Sequence, residues 1–277
     1  MNEIVHLIPL GFEIDRAAAP FESGACIAHR VYLLTLVGER REPAWNRQQV
    51  HYVKAVRKRL EALRIKVEDR DVDTFEMHEL LTVMSRLVRH EVSQGNTVFV
   101  NMSAGGRLQA LGAGIAAMAH GAKLYYVRAE EYPESPEARR VHGLSRCEGS
   151  IEYLEGLPFQ LPDERKMRAL VELAAHPEGM RTDQLIRCLL QAGVAGFEAA
   201  PATRNGRINN LMKLNKGILE PLAAVGYLTH SEKEGRSKRV RITGAGRYVA
   251  ALSGLTPIGD RAADPTSPPP RARRTRR

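Results

Sequence analysis

This sequence predicts a Rossmann-like α/β sheet domain followed by a winged helix-turn-helix domain, and three observations point to that fold. Five short strand-like runs in the first half alternate with longer stretches of helical periodicity, the pattern of a parallel sheet covered on both faces. Beyond Pro158 and Pro162 the texture changes to three closely set helical stretches and a basic hairpin. The charge changes at the same place: residues 1–160 carry 20 Lys and Arg against 21 Asp and Glu, whereas residues 161–277 carry 21 against 11. The net charge of +9 is therefore −1 in the first part and +10 in the second. A one-sided basic excess points to nucleic acid as the partner of the C-terminal part alone.

The elements follow in order. Ile4 to Leu10 is an apolar run closed by Gly11, the first strand, and a short helix is predicted over Phe12 to Phe21. Arg30 to Leu36 supplies the second strand. Asn46 to Arg64 places Val50, Val53, Val56, Leu60 and Leu63 on one face of a helix, with basic residues opposite. Ile65 to Arg70 alternates as a third strand, and Thr74 to Ser93 repeats the helical period with Met77, Leu80, Leu81, Met84, Leu87 and Val88. Thr97 to Asn101 is the fourth strand, Arg107 to His120 the helix after it, stopped by Gly121, and Lys123 to Arg128 the fifth strand. Residues 130–150 read as a loop or short helix, and Ser150 to Pro158 as an edge strand. In the second part, helices are predicted over Glu164 to Ala175, after a Thr182-Asp183-Gln184 cap, and over Arg204 to Val225, where Pro221 kinks or splits the helix. On that last helix Ile208, Leu211, Leu214, Ile218 and Leu222 form the apolar face. Residues 226–243 form the hairpin, with a charged turn over Glu232 to Arg236. The expected divisions are residues 1–158, 162–254, and a Pro- and Arg-rich tail over 255–277 that should be disordered.

Parallel sheets bind ligands beyond the carboxyl ends of their strands, where strand order reverses. For a strand order 3-2-1-4-5 the reversal lies between strands one and four. The crevice is then lined by Leu10, Gly11, Phe12 and Glu13 and by Asn101, Ser103, Ala104, Gly105, Gly106 and Arg107. The glycines permit close backbone approach, the helix start offers free N–H groups and a positive dipole end, and Arg107 adds a full charge, a combination suited to an anion. In the basic part, Arg204, Arg207, Asn209, Asn210, Lys213 and Lys216 are the expected groove-facing residues, with Arg236, Lys238, Arg239 and Arg241 gripping phosphates from the wing.

Other motifs carry less. Gly112-Ala113-Gly114-Ile115-Ala116-Ala117 mimics a dinucleotide fingerprint but lies inside a helix, where small residues permit close helix packing. Asn101-Met102-Ser103-Ala104-Gly105 resembles a nucleophile elbow, yet only one clear strand follows to bring an acid and a histidine. Glu13 and Asp15 are two apart and do not share a helix face. No H-e-x-x-H string or Cys-x-x-Cys pair suggests a metal, and no apolar run approaches the ~20 residues of a membrane span. Three widely spaced cysteines and an N-terminus without signal-peptide character make a reduced cytoplasm the expected compartment.

Two resemblances rest on these strings. Leu222-Ala223-Ala224-Val225-Gly226-Tyr227-Leu228, with Gly235-Arg236-Ser237-Lys238-Arg239-Val240-Arg241-Ile242-Thr243-Gly244-Ala245-Gly246-Arg247, resembles the winged helix of MarR- or ArsR-type regulators. Pro9 to Arg16 and Asn101 to Arg107 resemble the ligand loops of the CRISPR-associated Rossmann fold, or CARF, sensor domains, and the layout is similar to archaeal CARF–winged-helix transcriptional regulators. That resemblance implies a homodimeric, ligand-responsive regulator of transcription that binds double-stranded DNA. Its effector would be a nucleotide-like anion of the cyclic oligoadenylate class, with no cofactor and no catalysis. The alternatives are a ring-nuclease-like phosphodiesterase using Ser103 and Arg107 in the same pocket, and a DNA-binding protein whose sheet domain serves dimerisation alone.

Overall fold

The computed structural model describes residues 2–36, 43–157, 159–198, 203–230 and 239–257, with two compact units, Met1–Phe159 and Gln160–Ala263.

The first unit is a six-stranded sheet in the order β3-β2-β1-β4-β5-β6. Its strands are β1 (Ile4–Pro9), β2 (Arg30–Thr35), β3 (Lys66–Asp71), β4 (Thr97–Asn101), β5 (Lys123–Val127) and β6 (Ile151–Leu154). All neighbours are parallel except β5 and β6, which pair antiparallel and end the sheet. β1 and β2 are buried along nearly their whole length, which is why they read as continuous apolar runs rather than alternating ones. The edge strand β3 is mostly polar and half-exposed. α1 (Asp15–Glu22) and α2 (Pro43–Ala62) pack together, as do α3 (Met77–Ser93) and α4 (Arg107–His120). Ile8, Val31 and Leu33 share a core with Ile14, Val53, Val56 and Leu60 from the α1 and α2 region. Gly112 allows α4 close to α3, since a Cβ there would sit 2.7 Å from Leu80 and 3.0 Å from the Met77 sulfur. A short α5 (Pro136–His142) lies between β5 and β6.

Within the sheet, His6 is buried, with Nδ1 3.2 Å from the Tyr125 hydroxyl and Nε2 3.2 Å from the Ile27 carbonyl. Its ring stacks on Phe99 at 5.0 Å. Burial lowers its pKa to about 4, so it is a neutral core residue near pH 7.

The second unit contains α6 (Glu164–Ala174), β7 (Met180–Arg181), α7 (Thr182–Gln191), α8 (Arg204–Leu214), α9 (Glu220–Ala224), β8 (Leu228–His230), β9 (Arg239–Ile242) and α10 (Gly244–Leu252). β8 and β9 are the strands of the wing, and β7 adds a third to give the order β7-β9-β8. β7 and α10 were not legible as separate elements. Two residues are too few to show a period, and α10 starts in a Gly-rich string, capped by Thr243 Oγ1 accepting from Gly246 N–H at 3.0 Å. The expected Thr182 cap shifts by one: α7 begins at Thr182, and Arg181 in the cap position makes no side-chain cap bond. The break expected at Pro221 takes the form of a π-helical turn over Asn215–Leu219 that joins α8 to α9. Proline has no N–H for the Gly217 carbonyl, and the Glu220 N–H bonds back to Asn215 instead. Leu214, Ile218 and Leu222 are buried as expected, in a core with Leu170, Leu185, Leu189 and Val240. The expected disordered tail lies outside the described residues from 258 onward. Among the described residues no helix is long and apolar enough to cross a membrane.

Candidate functional site

The loop after β4 is built around Asn101. Its Oδ1 accepts from the N–H and hydroxyl of Ser103, both at 2.8 Å, and from the N–H of Ala104 at 3.1 Å. Its Nδ2 donates to the Arg16 carbonyl at 2.9 Å. Asparagine suits this place because its amide can imitate a backbone turn while tying a second segment. The Ser103 hydroxyl also accepts from the Val127 N–H at 3.0 Å, fastening the loop to the end of β5. The loop after β1 lies alongside: Gly11 N–H donates to the Ala104 carbonyl at 2.9 Å. Gly105 is required by space, since a Cβ there would sit 2.9 Å from the Pro9 carbonyl and would also press on Gln109 Oε1. Gly106 N–H donates to Gln109 Oε1 at 2.6 Å, and Gln109 Nε2 donates to the Thr74 hydroxyl.

The two loops predicted to line the crevice therefore do meet, but their residues divide into two sets. Gly11, Phe12 and Gly105 are part-exposed, and Gly106 and Arg107 are exposed. Leu10, Glu13, Asn101, Ser103 and Ala104 are buried, and their polar groups hold the loops together. The N–H groups of the first turn of α4 have no intrahelical acceptor, so the exposed rim offers backbone donors, a dipole end and the Arg107 guanidinium.

Beneath this rim is an ionic layer. Glu13 accepts from the N–H and hydroxyl of Ser145, at 3.0 and 2.9 Å, and its carboxylate is 3.8 Å from Arg16. Burial outweighs these contacts and raises its pKa to about 7. Asp15 engages a different set: Arg59 at 2.6 Å, His142 Nδ1 at 2.9 Å and the Cys147 N–H at 3.2 Å. Both acids thus pin the β5–β6 connection to the start of α1. Arg16, which the sequence reading did not single out, donates to the Ser103 carbonyl at 3.2 Å and to the Tyr132 hydroxyl at 3.5 Å. Its partners are 87 and 116 positions away, so no local pattern reveals it.

In the second unit, Thr203 caps α8 by accepting from Gly206 N–H at 3.1 Å. Arg204, Arg207, Asn209, Lys213 and Lys216 are exposed along α8 and the π turn. Asn210 is not groove-facing: it is 4% exposed, accepting from the Glu198 N–H at 3.0 Å and donating to the Glu198 carbonyl at 2.9 Å. It lies one turn before buried Leu214, on the core side of the helix. Conversely Ile208, expected in the core, is 44% exposed, and Met212 stands out beside the cations. Lys213 Nζ donates to the Gly196 carbonyl at 2.8 Å. Arg239 and Arg241, on β9, both donate to the Glu178 carbonyl, at 3.3 and 3.4 Å, which sets them at the root of the wing. Arg236 and Lys238 lie outside the described residues.

Comparison with known proteins agrees with this two-part build. Residues 4–132 match the family model described as "HFX_2341_N:-like, N-terminal", and residues 165–254 match the DUF6293 C-terminal winged helix domain. No curated protein matches the chain. Among solved structures, protein VC1899 from Vibrio cholerae is 12% identical with a TM-score of 0.39, over 91% of this chain and 66% of that one. Enterococcus italicus Csm6 bound to cyclic hexa-2'-fluoro-hexa-dAMP is 13% identical with a TM-score of 0.37, over 81% and 56%. Can2 from Sulfobacillus thermosulfidooxidans in complex with cyclic tetra-adenylate is 14% identical with a TM-score of 0.38, over 89% and 61%. The chain thus spans 56–66% of the length of these three structures. The sheet domain followed by a winged helix that was read from the sequence holds: the first unit is a mostly parallel six-stranded sheet, and residues 165–254 match a winged helix domain model.

Proposed function

We propose, on the premise that this chain joins a CARF-like sheet domain to a DUF6293-type winged helix, that the protein is a DNA-binding transcriptional regulator whose affinity for DNA responds to an anionic nucleotide. The observation that carries the reading is the pairing, in one chain, of a cationic winged helix with a glycine loop open at the carboxyl edge of a parallel sheet. On the DNA side, Arg204, Arg207, Asn209, Lys213 and Lys216 would face the duplex from α8 and the π turn, with Arg239 and Arg241 at the wing. Arginine can bond guanine edges or phosphates, and lysine chiefly neutralises phosphates. Exposed Ile208 and Met212 beside them would supply apolar contact to thymine methyl groups.

On the effector side, Gly11, Gly105, Gly106 and Arg107 would receive phosphate groups, and a cyclic oligoadenylate is the class that the CARF-like build favours. Leu108, Leu111, Val141 and Leu144 are exposed large side chains on elements following β4 and β5. A second copy covering them would make a homodimer with the effector site at its interface. The phosphodiesterase reading draws no support from Ser103, whose hydroxyl donates to Asn101 and accepts from Val127 within the loop.

A mobility-shift series with the full chain tests the DNA assignment. Binding should weaken steeply with salt, because phosphate contacts release counterions. Removing Arg204 and Arg207 together should flatten the salt slope by about 2. A salt slope unchanged in that double variant would place the DNA surface elsewhere.

A further inference from the structure

Tyr132 is 67% exposed, yet it is held at both ends. Its backbone follows the Glu131–Arg146 bridge, where Arg146 N–H donates to the Glu131 carbonyl at 2.8 Å, and it precedes the Pro133 carbonyl, which accepts from Arg139 Nε at 2.9 Å. Its hydroxyl is 3.5 Å from the Arg16 guanidinium, which also donates to the Ser103 carbonyl in the glycine loop. Arg16 is itself 8% exposed, its Nε is buried with no hydrogen-bond partner, and its guanidinium lies 5.3 Å from the centre of the Tyr126 ring. A pre-positioned aromatic ring thus stands in solvent beside the phosphate-receiving loop, with a buried cation behind its hydroxyl. Exposed rings next to cationic loops suit nucleobases, because every base has a π face and stacking needs no hydrogen-bond match.

We propose that Tyr132 is a stacking platform for a purine base of the nucleotide whose phosphate meets Gly105–Arg107, with Arg16 positioning the ring. This inference rests on the reading of that loop as a phosphate site. Arg16 would act through Tyr132 and Ser103 rather than by touching the ligand.

The test is calorimetric titration of the full chain with cyclic tetra-adenylate, across wild type, Tyr132→Ala, Tyr132→Phe and Arg107→Ala. Loss of one base–aromatic stack should weaken binding roughly tenfold or more in Tyr132→Ala. Tyr132→Phe should stay within a few-fold of wild type, and adenine absorbance should fall on binding in wild type and in Tyr132→Phe. Arg107→Ala should weaken binding through the phosphate instead. If Arg107→Ala weakens binding and Tyr132→Ala does not, the stacking role is overturned and the phosphate site stands. If the wild type does not bind, or Arg107→Ala has no effect, the phosphate reading falls and the stacking role with it. If Tyr132→Ala weakens binding while making the protein monomeric in sedimentation, Tyr132 is an interface residue and the stacking role is overturned.

Discussion

Replacing Glu13 by Gln should change the way stability depends on pH. Burial raises the Glu13 pKa from 4.5 to about 7 and lowers that of His6 from 6.5 to about 4. For Glu13 the folded value exceeds the unfolded one, so its contribution is complete below pH 4.5 and is lost as pH rises through 7. For His6 the folded value is depressed, so a neutral ring costs nothing above pH 6.5, and stability is lost as pH falls through 4. Each slope is about 1.4 kcal/mol per pH unit within its window, and the two have opposite signs. Between pH 4.5 and 6.5 they cancel in the wild type. Glu13→Gln removes one and leaves the other, while Gln can still accept from the Ser145 N–H. The variant should therefore gain about 2–3 kcal/mol relative to wild type on going from pH 4.5 to 6.5. All other titrating groups are common to both proteins and drop out of the difference. Urea unfolding at the two pH values, followed by circular dichroism, measures it. A difference between variant and wild type that does not change with pH would refute the buried, raised Glu13.

Two more substitutions separate fold from binding. Gly105→Ala should destabilise the sheet unit, because its Cβ would sit 2.9 Å from the Pro9 carbonyl, while a Cβ at Gly106 meets nothing nearer than Gln109 Oε1 at 3.9 Å, so Gly106→Ala should keep the thermal midpoint but weaken nucleotide binding. Thermal melts paired with calorimetry read the contrast. Asn210→Ala should lower winged-helix stability by about 1–3 kcal/mol, by removing the two hydrogen bonds that the buried Asn210 amide makes with the Glu198 backbone, and should not alter base preference at any operator position. Denaturant unfolding and a base-substitution series on the DNA check the two halves of that statement.

Much of the sheet unit was legible because its signals are local. β4 and α4 have the bounds read from the residues, since an apolar β-branched run, a Gly-Gly turn and an Ala-rich helix follow one another without ambiguity. The crevice was placed from strand order alone, and Gly11 and Ala104 do meet there. The roles of the individual residues were less legible. Asn101 and Ser103 look like ligand groups in a string, but a turn that must satisfy its own buried N–H groups uses the same residue types. Asn210 was misread because a polar residue on a basic helix looks exposed until the Glu198 segment, 12 positions earlier, folds back onto it. Arg16 and Tyr132 were not singled out because their proximity depends on a long connection returning over α1.

The central claim is that nucleotide binding and DNA binding are coupled. The most direct measurement is the affinity of the full chain for duplex DNA with and without saturating cyclic tetra-adenylate, together with the reverse titration of the nucleotide with and without DNA. Linkage requires the two ratios to be equal, and coupling of 1–3 kcal/mol corresponds to roughly 5- to 150-fold. One common factor in that range is expected, abolished by Arg107→Ala. Tight binding of both ligands with a factor of one would contradict it, because a ligand with equal affinity for both states shifts neither.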